Sequence, residues 1–257
     1  MSACSDPGYF WNRCWEALLG LVYPNWCQLC GTEPAFARDG YVGPRCRGSL
    51  RFIRGPRCDR CGLPFQGDLS QAFTCANCGD LTLHFETARA AVVATGVALE
   101  VIHRFKYQRA LWFEPFLVDL LLDAAVPALA DCGWTAVVPV PLHPTKQRFR
   151  EFNQAERLAR PLAQALALPL LLRTVRRAEP TPTQTHLTRP QRAGNVQRAF
   201  QPNPGARLGG ASVIIVDDVL TTGATANALA GVLSGLGARR ICVWSVARAV
   251  MGEPPTQ

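Results

Sequence analysis

The spacing of apolar and polar residues changes at about residue 86 and predicts an α/β domain after it. Short runs of β-branched and apolar residues predict strands at 88–97, 135–140, 170–175, 212–216 and 240–247. Segments with apolar residues at every third or fourth position predict helices at 98–107, 111–130, 153–166 and 225–236. Strands that alternate with helices favour a parallel sheet with helices on both faces, and we assign it to residues 86–250.

A different pattern occupies the N-terminus. Within residues 9–23 apolar side chains recur at every fourth position, as at Phe10, Cys14, Leu18 and Val22. This periodicity predicts an amphipathic helix within residues 1–23, which packs either on the body of the protein or on a partner or membrane surface. The stretch is too short and too polar to span a bilayer, and no secretory signal is recognisable. We therefore expect a cytoplasmic protein without a membrane span.

Residues 24–80 are rich in Cys, Gly, Pro and Arg and show no long periodic segment. A segment that buries little apolar surface needs another source of stability. Three C-x-x-C pairs lie here: Cys27/Cys30, Cys58/Cys61 and Cys75/Cys78. The last two pairs together have the spacing of a four-thiolate zinc ribbon, so we predict structural Zn²⁺. The remaining cysteines outside this region are interpreted as small apolar residues or free thiols; they are Cys4, Cys14, Cys132 and Cys242.

Basic residues give the chain a net charge of +8 and cluster between the cysteine pairs. The arginines of this cluster are Arg45, Arg47, Arg51, Arg54, Arg57 and Arg60. Two interpretations stay open: a solvated basic surface, or an electrostatic footprint for a phosphate-rich partner such as single-stranded DNA. Trp26, Phe52 and Phe65 are close enough in sequence to offer stacking surfaces to bases.

Residues 213–225 carry the clearest chemistry, because an apolar strand runs into two acids, a hydroxyl-rich loop and a helix start. Ligands of open α/β sheets bind beyond the carboxyl ends of the strands, and a loop before a helix can hold phosphate with its N–H groups. The phosphate-binding candidates are Thr221, Thr222, Gly223, Ala224 and Thr225. Asp217 and Asp218 lie where carboxylates can accept hydrogen bonds from ribose hydroxyls. The segment is neither a Walker loop nor a dinucleotide fingerprint.

The run VIIVDDVLTTGAT resembles the motif of type I phosphoribosyltransferases that binds 5-phosphoribosyl-1-pyrophosphate (PRPP). Together with WCQLC, CDRCGLPF, CANC, VIHRFKYQ, VVPVPLHP and FREFNQAERLA, in this order, it makes the chain similar to the ComF family over about residues 23–248. These are phosphoribosyltransferase-like competence proteins, and the long form carries an N-terminal double zinc ribbon. The resemblance implies a type I phosphoribosyltransferase-like domain behind such a module.

The resemblance also implies a site for PRPP or a related ribose 5-phosphate, with Mg²⁺ as its cofactor. Asp217 and Asp218 would be the catalytic residues at the ribose, and residues 221–225 would hold the 5-phosphate. The turn at residues 140–144 would lie near the pyrophosphate, and Arg148, Arg150 and Asn153 would face the same pocket. The implied anion-binding cations are Lys106, Arg148, Arg150 and Arg192; the last lies in the segment 181–198, where related enzymes carry a loop that closes over the site.

Two positions depart from the family pattern. Gly43 stands where the family usually has the cysteine that pairs with Cys46. The first zinc set, Cys27, Cys30 and Cys46, is therefore lost, open or completed by another ligand. Glu151 replaces a glycine, and its acid either repels pyrophosphate or points to solvent.

Three functions are compatible with these features. The first is a PRPP-dependent transferase of the glycosyltransferase class, linked to DNA uptake or nucleotide salvage, whose accepting base the sequence does not indicate. The second is a non-catalytic protein of natural transformation that handles single-stranded DNA. The third is a regulator that senses PRPP, since a fold can be kept for binding alone. The implied partners besides PRPP are single-stranded DNA and a competence helicase or other DNA-uptake proteins.

Overall fold

The computed structural model describes residues 25–65, 67, 73–79, 82–178 and 199–250. The helix predicted within residues 1–23 and the segment 181–198, which includes Arg192, lie outside the described residues. No helix in the described ranges is long and apolar enough to cross a membrane.

The part of the chain from residue 82 onward is built on a parallel sheet that, in the described residues, has four strands in the order β1-β6-β5-β2. These strands are β1 (Thr87–Val93), β2 (Ala136–Pro139), β5 (Ser212–Leu220) and β6 (Arg240–Arg248). In the register, Ile214 at the centre of the sheet pairs with Val137 on one side and Cys242 on the other. A separate antiparallel pair is formed by β3 (Val175–Arg177) and β4 (Phe200–Pro202).

Helices cover both faces of this sheet. The described helices are α1 (Pro44–Gly48), α2 (Ala76–Gly79), α3 (Gly96–Tyr107), α4 (Glu114–Leu129), α5 (Pro144–Arg150), α6 (Gln154–Ala165) and α7 (Ala224–Gly235). Because side chains alternate along a strand, Ile214 and Val216 of β5 pack in one buried cluster with α3, α4 and α6. Val213 and Ile215 pack in the other cluster with α7. The predicted α/β fold class is confirmed.

Three predictions from the sequence pattern differ from the structure. The predicted strand 170–175 is wrong: Leu170 forms only an isolated bridge to Val137, and β3 begins at Val175. The predicted strand 88–97 ends early, since Gly96 with φ 48° begins α3. Helix α5 was not predicted, although a proline at its first position is a recognised helix start.

The Cys-rich module packs on β1 with backbone hydrogen bonds. The Val93 N–H donates to the Arg51 carbonyl at 2.8 Å, and the Ala88 N–H donates to the Arg60 carbonyl at 2.7 Å. Gly62 approaches so closely that a Cβ there would lie 2.4 Å from the Ala88 oxygen. A side chain at this position would therefore push the module away from the strand.

The same module also packs on α4. A Cβ added at Gly40 would lie 2.8 Å from the Cβ of Phe116. Arg47, on α1, forms ion pairs with Asp123 at 3.2 Å and Asp119 at 3.7 Å. Two sides of the module are thus fixed to the α/β domain.

Candidate functional site

A cleft opens beside the carboxyl-terminal halves of β2 and β5 and the start of α6. The polar residues that line it are Lys106, Lys146, Arg150, Asn153, Gln154, Arg177, Asp217, Asp218 and Thr225. The carboxyl ends of parallel strands are where ligands of open α/β sheets bind. The sequence predicted this position for the site.

The two aspartates occupy the floor of the cleft. They lie within β5, which continues to Leu220 rather than ending before them. Asp218 is 5% exposed and forms an ion pair with Lys106, with 2.7 Å between Nζ and Oδ1. Burial, reinforced by the charge of Asp218, raises the pKa of Asp217 to about 7, while the charges of Lys106 and Arg177 act in the opposite direction. The cleft therefore holds a carboxyl group that changes its charge near neutral pH.

The loop after β5 leads directly into α7. Gly223 begins the helix with φ 80°, a left-handed conformation that glycine adopts at little cost. Because glycine has no side chain, Gly223 cannot cap the N–H groups in the first turn of α7. Those N–H groups, together with the helix dipole, favour an anion at this position. The hydroxyl of Thr222 accepts a hydrogen bond from the Ala224 N–H at 3.3 Å, and Thr225 lines the cleft. Thr221 is exposed.

Four cations line the cleft in the described residues. Besides Lys106, the lining includes Lys146 and Arg150 from α5 and Arg177 from the end of β3. Burial lowers the pKa of Lys146, and the positive charges of Arg177 and Arg150 lower it further. Burial likewise lowers the pKa of Arg177, with Arg150 adding to the effect and Asp217 opposing it. An anion bound here would relieve this repulsion between like charges.

The structure brings some of the cations predicted from the sequence to the cleft and not others. Lys106 and Arg150 lie in the cleft, whereas Arg148 is exposed and does not line it. Residues two positions apart on an α-helix are about 200° apart around its axis, so Arg148 and Arg150 project from different faces of α5. Lys146 and Arg177 were missed, since neither belongs to a motif that indicates anion binding.

Gln154 is a further cleft residue that sequence reasoning missed. It is 2% exposed, and its Nε2 donates to Asp218 Oδ2 at 3.4 Å. Its Oε1 accepts no hydrogen bond from the described residues. Asn153 caps α6, because its Oδ1 accepts a hydrogen bond from the Ala155 N–H at 3.1 Å, and its Nδ2 donates to the Val140 carbonyl. The one sequence signal for Gln154 was that this polar residue directly follows Asn153, the predicted N-cap.

The second cysteine set forms a compact group. The sulfur atoms of Cys58, Cys61, Cys75 and Cys78 lie within 4.8 Å of one another, and all four residues are buried. None of the four forms a disulfide. The Cys75 N–H donates to the sulfur of Cys58 at 3.3 Å, which is a common way to orient a thiolate ligand. Four convergent, buried thiols fit a tetrahedral structural zinc site, as predicted.

The first set converges as well, with an addition that the sequence did not reveal. Cys27, Cys30 and Cys46 come together with Glu33, and their four ligand atoms lie within 4.8 Å of one another. Gly43 takes part only through its backbone, whose N–H donates to the sulfur of Cys27 at 3.3 Å.

The chain is similar in sequence to known proteins over most of its length. Residues 18–81 match the family described as "Double zinc ribbon domain". The chain is 33% identical over 237 residues to Competence protein F of Haemophilus influenzae, covering 87% of this chain and 96% of that protein. The chain belongs to the ComF family. This family assignment and the zinc site predicted at the four cysteines of the second set agree with the structure of the Cys-rich module.

A second ComF-type relative is the DNA utilization protein YhgH of Salmonella typhimurium. It is 29% identical over 233 residues, covering 90% of this chain and 100% of the relative. Among solved structures, adenine phosphoribosyltransferase from Saccharomyces cerevisiae is 21% identical, with a TM-score of 0.35, and the alignment covers 56% of this chain and 72% of that one.

Glu151, the departure from the ComF pattern in the α/β domain, ends α5 with φ 68°. A left-handed residue at a helix end is the position that glycine takes at least cost. The Glu151 side chain is 64% exposed and forms an ion pair with Arg109 at 3.0 Å. It does not line the cleft. Of the two interpretations of this acid, the one in which it points to solvent agrees with the structure.

A buried arginine connects the two parts of this ComF-family chain. Arg248, 5% exposed at the end of β6, donates to the Cys61 carbonyl at 3.2 Å and to the Leu220 carbonyl at 3.0 Å. It also donates to the carbonyls of Thr221 and Ala249. Its Nη2 lies 3.7 Å from the sulfur of Cys61. One side chain therefore contacts a cysteine of the buried four-thiol cluster and the first residues of the loop after β5.

The module also exposes aromatic and basic side chains. Trp26, Phe36 and Phe65 are each 44% exposed and Phe52 is 38% exposed. The Arg54 guanidinium lies 5.1 Å from the centre of the Phe52 ring. Other exposed arginines of the predicted basic cluster are Arg45 and Arg51. Arg47 does not belong to this surface, because it is paired with the acids of α4.

Proposed function

We propose that this ComF-family chain binds PRPP, or a related ribose 5-phosphate, together with Mg²⁺ in the cleft beside β2 and β5. The supporting observation is the arrangement of charge. Two carboxylates line the cleft together with Thr225, from the first turn of α7, and with cations that repel one another. A sugar with a phosphate at one end and a pyrophosphate at the other complements all three parts.

Each part of the cleft has its own role in this proposal. Asp217 and Asp218 accept hydrogen bonds from the ribose hydroxyls, and the buried Oε1 of Gln154 accepts another. The first turn of α7 with Thr225 binds the 5-phosphate. Arg150, with the other cations of the cleft, binds the pyrophosphate. Magnesium bound with PRPP would neutralise part of the pyrophosphate charge. Departure of pyrophosphate from the ribose then needs positioning and charge stabilisation rather than a protein nucleophile.

The proposal is tested by thermal unfolding of the purified chain with PRPP and Mg²⁺. At a ligand concentration of about 100 times the dissociation constant, we expect about 2.7 kcal/mol of stabilisation. The double variant Asp217→Asn with Asp218→Asn should lose it. No stabilisation of the wild type at millimolar PRPP would contradict the proposal.

Two neighbouring arginines provide a matched pair for the same experiment. Arg150→Ala removes a cation that lines the cleft, and loss of a hydrogen bond to a charged group costs about 1.5–3 kcal/mol, or about 10–100-fold in affinity. Arg148→Ala removes an exposed charge from the same helix and should leave the affinity unchanged. Equal effects of both substitutions would place the anion elsewhere.

A second function, binding of single-stranded DNA by the zinc module, is favoured by the exposed aromatic rings beside exposed arginines. The names of the relatives, a competence protein and a DNA utilization protein, point the same way. A DNA-uptake protein such as a competence helicase would then be a partner. A cytoplasmic location fits, since thiolate ligands stay reduced there.

The DNA proposal is tested with the triple variant in which Arg45, Arg51 and Arg54 become Ser. If these three contact phosphates, log affinity falls against log salt with a slope of about −2, from a coefficient of about 0.7 per phosphate. The triple variant should lose DNA binding and keep PRPP binding. Arg47→Ser is not a suitable test of DNA contact, because it also breaks the contact with α4. Absence of binding by the wild type at about 50 mM salt would contradict this function.

A further inference from the structure

The first cysteine set of the module offers three thiols rather than four. Cys27, Cys30 and Cys46 are grouped in space, and none forms a disulfide. The position that the family pattern assigns to a fourth cysteine is Gly43, which has no side chain. Structural zinc sites of proteins are almost always four-coordinate, so three thiolates alone would leave the set incomplete.

The carboxylate of Glu33 occupies the space next to these thiols. Its Oε1 lies 3.7 Å from the sulfur of Cys30, and the four ligand atoms of the set lie within 4.8 Å of one another. Glutamate oxygen is an accepted zinc ligand, and its anionic charge matches that of the thiolate it would replace.

The missing side chain of Gly43 is what makes room for Glu33. A Cβ built on Gly43 would lie 2.3 Å from Cδ of Glu33 and 2.4 Å from its Cγ and Oε1. Both distances are shorter than any tolerated contact, so a cysteine at 43 and the observed Glu33 conformation exclude each other. The Glu33 carboxylate thus fills the volume that a cysteine side chain at position 43 would need, so the one residue replaces the other.

Burial requires that the charge of Glu33 be compensated by hydrogen bonds or by a cation. The residue is 5% exposed, and an ionised carboxylate at such a position is costly unless its charge is compensated. Its oxygens accept hydrogen bonds from the Arg45 N–H at 2.9 Å and the Cys46 N–H at 3.1 Å. These bonds orient the carboxylate as outer-shell hydrogen bonds orient a metal ligand, and they leave lone pairs on both oxygens.

From these contacts we propose that Glu33 is the fourth ligand of the first zinc site. The module then holds one zinc ion with four thiolates and one with three thiolates and a carboxylate. The competing explanation is that Glu33 only caps the first N–H groups of α1, so the experiment must separate metal binding from capping.

The first experiment measures zinc in the full-length chain under reducing conditions during titration with a chelator. The wild type should hold two zinc ions. Glu33→Gln keeps the size of the side chain and one capping oxygen, and it should hold one zinc ion firmly and release the other. Since loss of a mere outer partner costs about 10–100-fold in affinity, loss of a direct ligand should cost at least about 100-fold. Cys58→Ser is the matched control, because it should release the zinc ion of the four-thiolate site instead.

If Glu33→Gln lowers thermal stability but retains both zinc ions with wild-type affinity, capping is its whole role and the proposal is overturned.

The second experiment exchanges the ligands. Glu33→Ala combined with Gly43→Cys should restore two tight sites, whereas Gly43→Cys alone should be destabilised by the overlap with Glu33. With cobalt in place of zinc, the sulfur-to-metal charge-transfer band should be more intense in the exchanged variant, which has one more thiolate ligand. Identical cobalt spectra for the wild type and the exchanged variant would overturn the proposal.

Discussion

Replacing Arg248 with methionine would test whether the Cys-rich module and the loop after β5 are held together by this one side chain. Methionine keeps the unbranched apolar part of arginine and removes every donor. The carbonyls of Cys61 and Leu220 would then lose their Arg248 hydrogen bonds. The sulfur of Cys61 would also lose a neighbouring positive charge, because Nη2 of Arg248 lies 3.7 Å from it.

The size of the effect follows from burial. Cys61 is 7% exposed, so water can replace little of what its carbonyl loses. The Leu220 carbonyl keeps a second hydrogen bond, from the Ala249 N–H at 3.0 Å. One buried acceptor left without a donor costs about 1–3 kcal/mol, and removing a buried charge returns part of this cost. We therefore expect a loss of about 1–2 kcal/mol in unfolding free energy, which corresponds to about 2–8 °C in Tm for a chain of this length.

The assay is denaturant unfolding of the zinc-loaded chain, followed by PRPP titration of the folded variant. Arg248→Lys keeps the charge but cannot reach several carbonyls at once, so it should recover only part of the stability. Arg207→Met, at an exposed position of the same domain, is the control and should change little. An Arg248→Met variant within about 0.5 kcal/mol of the wild type would refute the reasoning, because surface substitutions fall in that range.

Two further predictions concern the cleft and its border. Because the pKa of Asp217 is raised to about 7, its carboxylate forms as pH rises through 7, and PRPP affinity should increase about tenfold from pH 6 to pH 8. The stability of the unliganded protein should change in the opposite sense, being greatest below the ordinary aspartate pKa and falling as pH rises through 7. At every pH, Asp217→Asn should bind PRPP with the affinity that the wild type shows at low pH, as measured by calorimetry. A wild-type affinity that does not change with pH would contradict this. Glu151→Gly should raise the unfolding free energy by about 0.5–1.5 kcal/mol, because relief of the left-handed backbone (about 1–2 kcal/mol) exceeds the loss of the exposed Arg109 ion pair (about 0.5 kcal/mol). A lower unfolding free energy for Glu151→Gly than for the wild type, measured by denaturant unfolding, would contradict that prediction.

Local motifs made part of this structure predictable from sequence. Residues 213–225 contain a strand, a loop and a helix start in one continuous stretch, and the C-x-x-C pairs bring their ligands together within a turn. In both cases the chemistry depends on neighbours in sequence, so the side chains can be identified before the fold is known.

The rest of the site depends on packing between distant elements. Arg177 reaches the cleft from β3, and Gln154 is buried against Asp218, although neither residue stands in a motif that indicates a ligand. Glu33 had a faint signal, an acid three residues after Cys30 in a set that lacks one cysteine. Arg248 had none, because an arginine at the end of a strand usually ends in solvent.

The contacts between the Cys-rich module and β1 have a consequence for solubility. In the described sheet β1 pairs with β6 on one side only, and on its other side Ala88 and Val93 donate their N–H groups to module carbonyls. Without the module these groups would form an open strand edge, which is a template for pairing with other chains. The Cys-rich module thus covers a strand edge, in addition to the DNA-binding role proposed for it. Cells short of zinc should therefore accumulate this protein as aggregates before they accumulate it as a soluble, inactive form.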